Sequence, residues 1–132
     1  MTTTKEIDYG LEQAKAQLES IKEMLAALEK ANEDEDADAL DAATEALDED
    51  PLSVEVRSGW TTPGAELKLG EYCILLCTGG PAYRIIGDLD RDEPTTARLQ
   101  YQDWGTPWTE LICTSADYDA LLAYAQHCYF GA

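Results

Sequence analysis

Basic side chains are scarce in this sequence. Its 132 residues include nine Lys and Arg against 27 Asp and Glu, which gives a formal net charge of −18 at pH 7. Direct binding to nucleic acid or to an anionic membrane depends on clustered Lys and Arg, so the composition argues against both. No apolar run reaches the roughly 18 residues of a transmembrane helix, and the first eight residues lack the basic-then-apolar order of a signal peptide. We therefore expect a cytoplasmic protein.

Known catalytic and cofactor-binding motifs are also missing. The sequence contains no HExxH, GxSxG, GxGxxG or Walker pattern, and Gly79-Gly80-Pro81 is too short for a phosphate-binding loop. We expect a non-enzymatic protein that carries no cofactor. Two enzymatic alternatives remain, namely an acid/base pair of Asp103 and Glu110 and a nucleophilic pair of His127 with a cysteine other than its neighbour Cys128.

Neither the cysteines nor the acidic residues have the spacing of a metal site. There is no CxxC pair. The run from Glu33 to Asp38 resembles the alternating oxygen ligands of a calcium loop. However, Asp38 and Thr44 stand where such a loop needs glycine and glutamate. We expect no bound metal, and we expect the cysteines to be reduced, buried thiols of the core. The cysteines are Cys73, Cys77, Cys113 and Cys128.

The chain divides near Pro51. Residues 1–50 carry a net charge of −12 and read as an acidic helical hairpin, whereas residues 51–132 carry −6 and read as a β-meander followed by one helix. Hydrophobic residues make up 45% of the chain, which is enough for a real core. The prediction is one compact α+β unit with a helical hairpin, a four- to five-stranded antiparallel sheet and a C-terminal helix packed on the sheet.

Alternation and turn residues carry the β prediction. Apolar and polar residues alternate in Ser53–Trp60, and Tyr72–Thr78 is apolar on both faces, which indicates a central strand. A tight reversal leads into Ala82–Leu89, and Thr96–Trp104 is the fourth strand. Thr114 or Ser115 is expected to cap the last helix, which follows.

The first helix has a heptad seam. Its apolar residues recur with alternating steps of four and three, which is the spacing of a two-stranded coiled coil. The seam is expected either to pack on the second helix and the sheet or to join two copies as a homodimer. The seam residues are Ile7, Leu11, Ala14, Leu18, Ile21, Leu25 and Leu28.

The second helix, predicted near Asp36–Asp48, has one almost purely anionic face. Residues 33–50 contain ten acids and no base. At about 100° per residue, six of these acids fall in one sector about 100° wide, opposite Leu40, Ala43 and Leu47. The face is either a solvated surface that aids solubility or a site for a basic partner. The six acids are Asp34, Asp38, Asp41, Glu45, Asp48 and Glu49.

Aromatic residues concentrate in the segment 101–110. Tyr101, Trp104 and Trp108 stand here beside Gly105 and Pro107. Exposed aromatics next to Gly and Pro are candidate binding anchors. The segment is expected either to close the end of the sheet as a small apolar cluster or to bind a small ligand.

Three stretches resemble a group of small acidic proteins encoded in phages and prophages of Gram-negative bacteria. They are Leu47–Trp60 (LDEDPLSVEVRSGW), Ile74–Leu89 (ILLCTGGPAYRIIGDL) and Tyr101–Glu110 (YQDWGTPWTE). The resemblance assigns no activity and no site residue. It implies an accessory role inside a bacterial host, where such proteins often inhibit defence or nucleic-acid-processing complexes.

Together these features predict a non-enzymatic phage protein that binds a basic surface of a host complex, such as a CRISPR-type defence complex, by charge mimicry. The partner is then a basic protein or nucleoprotein, with no direct contact to nucleic acid or membrane. A small-ligand-binding domain and a structural oligomer built on the heptad seam are the alternatives.

Overall fold

The computed structural model describes residues 2–78, 81–103 and 107–128, with side chains described from residue 10 onward. In these residues the chain forms three helices and an antiparallel sheet, so the predicted α+β class is confirmed. The helices are α1 (Thr2–Glu33), α2 (Ala37–Glu49) and α3 (Ser115–Gln126). The strands are β1 (Ser53–Ser58), β2 (Leu69–Cys77), β3 (Ala82–Asp90), β4 (Glu93–Pro94), β5 (Arg98–Gln102) and β6 (Thr109–Glu110).

The sheet follows the order β1-β2-β3-β5-β6, and β4 pairs with β3 off this path. Every pairing is antiparallel. The described residues give six strands where four or five were expected, because β4 and β6 have two residues each and are too short for a periodic pattern. Between β3 and β4 the chain makes a tight hairpin, in which Arg91 and Asp92 both have positive φ.

The helices cover one face of the sheet. Side chains alternate between the two faces of a strand, and Tyr72, Ile74 and Leu76 of β2 are the buried set. They join one core cluster with Ile85 of β3 and with residues of all three helices, so the predicted segments 1–50 and 51–132 share this core. Among the core side chains, the largest fully buried ones are Tyr124, Ile21, Ile74, Ile85, Leu99 and Leu121.

A short connection turns α1 back onto α2. Asp36 N–H donates to the carbonyl of Ala31 and Asp34 N–H to that of Lys30, which closes the end of α1. Glu35 lies between them with φ +53°, a left-handed conformation that glycine adopts more easily. Asp36 then caps α2 through a hydrogen bond from Ala39 N–H at 3.1 Å. The result is the predicted helical hairpin.

The last helix is fixed at its first turn. Its N-cap is Thr114, one of the two residues predicted for this position. Thr114 forms a reciprocal capping box with Asp117. Asp117 also makes an ion pair with Lys22 of α1. The Lys22 ammonium group is the main cause that holds the pKa of Asp117 below its ordinary value. One carboxylate therefore orients α3 and joins it to α1.

Candidate functional site

The N-terminal end of α2 is capped, but no basic residue balances the acids at its C-terminal end. Asp36 caps the helix and Asp38 lies in its first turn, where the helix dipole favours negative charge. The last turn contains no basic residue and holds Asp48 and Glu49, where the dipole disfavours negative charge. The C-terminal acids of α2 are therefore placed against the local electrostatics of the helix.

The opposite side of α2 attaches it to the rest of the molecule. Leu47 is buried in the core, and Leu40 and Ala43 are half-buried. Asp50, the C-cap, accepts a 2.6 Å hydrogen bond from the hydroxyl of Tyr124 in α3, a side chain that is almost completely buried. This bond joins residues 74 positions apart. The helix is held at its end, so its outer face has a fixed orientation.

All six predicted acids are exposed, but they do not form one row. Asp34 lies in the connection before α2 and pairs with Lys30 at 3.3 Å, so it stands apart from the other five. Within the part of the chain that the structure describes, no Lys or Arg makes an ion pair with those five. The acidic row is therefore Asp38, Asp41, Glu45, Asp48 and Glu49.

The heptad seam of α1 is used inside the chain. Leu18 and Ile21 are buried in the core, and Leu11, Leu25 and Leu28 pack against it. α1 contacts α2, α3 and β5. The side chain of Ile7 lies outside the described residues. In this arrangement Ile21 has no accessible surface left for a second copy, and the heptad spacing is explained by packing within one chain.

The aromatic segment is only partly described, since Trp104 lies outside the described residues. Tyr101 is a half-buried residue of β5 that packs against the core. Trp108 is half-buried, and the guanidinium of Arg84 stacks over its ring at 4.1 Å. Tyr101 and Trp108 therefore both pack against other residues of this chain. A different tryptophan, Trp60, is fully exposed in the segment between β1 and β2.

A second charged surface was not anticipated from the sequence. The face of the sheet that points away from the helices carries Arg57, Arg84 and Arg98, and these line one open cavity of about 350 Å³. Each arginine alternates with inward-facing residues of its strand, a period-2 signal that was present in the sequence. Their proximity depends on the register of four strands, which the sequence does not reveal.

The cysteines are free and half-buried, not fully buried as expected. Burial raises the pKa of Cys128 to about 11 and also raises the pKa values of Cys73 and Cys113, so these thiols are neutral at pH 7. His127 is the exposed C-cap of α3. Among the described residues, no group of three or more His, Cys, Asp and Glu is arranged to hold a metal ion.

No protein-family model, curated protein or solved structure matches the chain. The resemblance to phage-encoded acidic proteins stays a prediction. In the described ranges, none of the helices combines the length and the apolar character needed to cross a membrane.

Proposed function

We propose that this chain is a non-enzymatic protein that binds a basic surface of a nucleic-acid-binding complex through the acidic row of α2. The setting implied by the resemblance is the cytoplasm of a bacterial host, and a CRISPR-type defence complex is the kind of partner that fits. The row would occupy a groove that normally holds a nucleic-acid backbone. The chain's net charge of −18 would repel nucleic acid itself.

The observation that carries this proposal is the uncompensated exposure of the acidic row. α1 interleaves bases with its acids, as in the 3.4 Å pair of Lys22 with Glu19. α2 has no base over its whole length. Like charges three or four residues apart destabilise a helix by about 0.2–0.5 kcal/mol per pair. Because α2 is anchored and carries this repulsion without a compensating base, we infer that its acidic face serves in binding.

The spacing of the acidic row also suits this role. Asp38, Asp41, Glu45 and Asp48 are separated by three or four residues, which is about 5 Å along a helix axis. The phosphates of one DNA strand advance by about 3.4 Å each along the axis of the duplex. The two spacings match loosely. A dense row of carboxylates also steers a basic partner over a distance of about one Debye length, roughly 8 Å in physiological salt.

Removing this charge is expected to stabilise the fold. The variant Asp38→Asn, Asp41→Asn, Glu45→Gln and Asp48→Asn (the α2-neutral variant) relieves four repulsive pairs within α2, since Glu49 also faces Glu45. The dipole effects at Asp38 and Asp48 nearly cancel, because the two acids lie at opposite ends of α2. We expect a gain of about 1–2 kcal/mol and a melting temperature roughly 4–8 °C higher by calorimetry. A lower melting temperature would mean that the acids support folding.

The binding test compares the α2-neutral variant with a variant of equal charge change. The matched control (the scattered-neutral variant) is Glu12→Gln, Glu23→Gln, Glu29→Gln and Glu66→Gln, four exposed acids outside α2. Each protein is immobilised and exposed to bacterial lysate, and the retained proteins are eluted with duplex DNA. We expect the wild type and the scattered-neutral variant to retain the same DNA-eluted proteins. We expect the α2-neutral variant to lose them. Equal retention by both variants would refute the role of α2.

A further inference from the structure

The uncovered face of the sheet groups most of the arginines of the sequence. The sequence has four arginines, and Arg57, Arg84 and Arg98 lie together on this face. The register explains the grouping: Arg84 of β3 pairs across with Leu75 of β2 and Gln100 of β5, and Arg98 pairs with Ile86. The cavity of about 350 Å³ between them lies at the small end of the range for ligand pockets.

Each guanidinium is positioned by a neighbour on the same face. Arg57 Nε donates to Glu71 Oε1 at 2.7 Å, and Arg84 Nε donates to Gln100 Oε1 at 2.8 Å. Arg98 Nη1 lies 3.7 Å from Glu110 Oε1. A guanidinium has five N–H donors in a fork that matches a planar or tetrahedral oxyanion. These contacts orient the three side chains through a minority of their donors, so further donors are available to a ligand.

The floor of the cavity is uncharged. Ile86 lies there beside Cys73, whose pKa is raised by burial, although Arg84 partly offsets this effect. The stacking of Arg84 on Trp108 holds its planar group in place and adds an aromatic wall next to the cavity. A cationic rim over an apolar floor suits a ligand with one charged end and one apolar end.

The acids of the cavity limit the charge of the ligand. Glu55 and Glu71 also line it, and Glu110 pairs with Arg98 beside it, so three arginines face three carboxylates. This balance does not suit a polyanion, which the chain's net charge would repel as well. Three arginines around one cavity offer more N–H donors than a single carboxylate needs. A compact dianion could take the place of the Glu71 carboxylate at Arg57.

We propose that this cavity binds a small phosphate monoester, with its phosphate at Arg57, Arg84 and Arg98 and its organic part against Ile86. Arginine forks bind phosphate oxygens in pairs, and the bonds to charged groups are the strong ones. The site faces away from the helices and uses none of the acidic row. It is therefore independent of the function proposed for α2.

The first test titrates the full chain with phenyl phosphate, inorganic phosphate and benzoate by calorimetry. We expect phenyl phosphate to bind at least about tenfold more tightly than benzoate, since the phosphate engages more arginine donors. Inorganic phosphate should bind more weakly than phenyl phosphate, because it has no apolar part. Preference for benzoate, or binding of neither phenyl phosphate nor benzoate, would overturn the proposal.

The second test uses single substitutions of exposed or half-buried residues, with circular dichroism confirming the fold of each. Arg84→Gln and Arg98→Gln should each weaken phenyl phosphate binding by about tenfold or more. Lys68→Gln and Arg91→Gln remove the same charge outside the cavity and should change the affinity by less than about twofold. Glu71→Gln should strengthen binding, because it removes the carboxylate that competes for Arg57. Equal effects of all four cation substitutions, or weaker binding by Glu71→Gln, would overturn the proposal.

Discussion

Replacing Gly87 by alanine is expected to destabilise the protein by about 3 kcal/mol or more. A Cβ atom at this position would overlap the backbone carbonyl of Thr96 and would lie 2.8 Å from Cε1 of Tyr72. The carbonyl of Thr96 also accepts a 2.6 Å hydrogen bond from the Tyr72 hydroxyl, in a part-buried setting. Neither the backbone of Thr96 nor the packed Tyr72 ring can move without losing this bond. Urea denaturation of both proteins measures the difference.

Gly59→Ala is the matched control for this prediction. A Cβ atom at Gly59 meets no heavy atom within 4 Å. Its effect should stay within about 0.5 kcal/mol of the wild type. Equal stability of the two alanine variants would contradict the close approach of the Thr96 carbonyl to Gly87.

Replacing Ile21 by alanine is expected to cost about 2–5 kcal/mol. This side chain is fully buried in the core that α1 shares with α2, α3 and the sheet. Truncation removes buried apolar surface and leaves a cavity, and the surrounding elements can relax only partly. Gln13→Ala, on the exposed side of the same helix, should change the free energy of unfolding by less than about 0.5 kcal/mol.

The dependence of stability on protein concentration distinguishes packing within one chain from the homodimer that the heptad spacing also predicts. If the seam packs within the chain, the loss at Ile21 is the same at every protein concentration. If it joins two copies, the melting temperature of the wild type rises with concentration. Melts over about a hundredfold range of concentration decide between them, because linkage makes the dimer's stability depend on protomer concentration. A constant melting temperature is the result expected from the burial of Ile21.

The parts of the fold that could be predicted are those with a periodic pattern of apolar residues or a recognisable cap. Tyr72–Thr78, apolar on both faces, lies almost wholly within β2, which is paired on both sides. Thr114, one of the two residues predicted to cap α3, is its N-cap. The hairpin at Arg91 and Asp92 was not predicted, because two-residue turns with positive φ usually contain glycine and this pair has none. Such a turn is set by the pairing of β3 with β4, which is a tertiary feature.

Of the candidate sites, the acidic row could be predicted from the sequence and the arginine cavity could not. The acidic row lies on one helix, so its exposure followed from the helical period alone. The separate position of Asp34 depends on where α1 ends, and helix boundaries are the least reliable part of such predictions. The arginine cavity combines residues from four strands, and the register that places them together is not readable from the sequence.

The central claim is that the acidic row of α2 binds a basic partner. The most direct measurement is the affinity of the protein eluted by DNA, determined as a function of salt for the wild type, the α2-neutral variant and the scattered-neutral variant. We expect the wild type and the scattered-neutral variant to bind alike and to weaken as salt rises. The α2-neutral variant should bind at least about tenfold more weakly and depend less on salt. Equal affinities for the two neutralised variants, or no dependence on salt, would contradict the account.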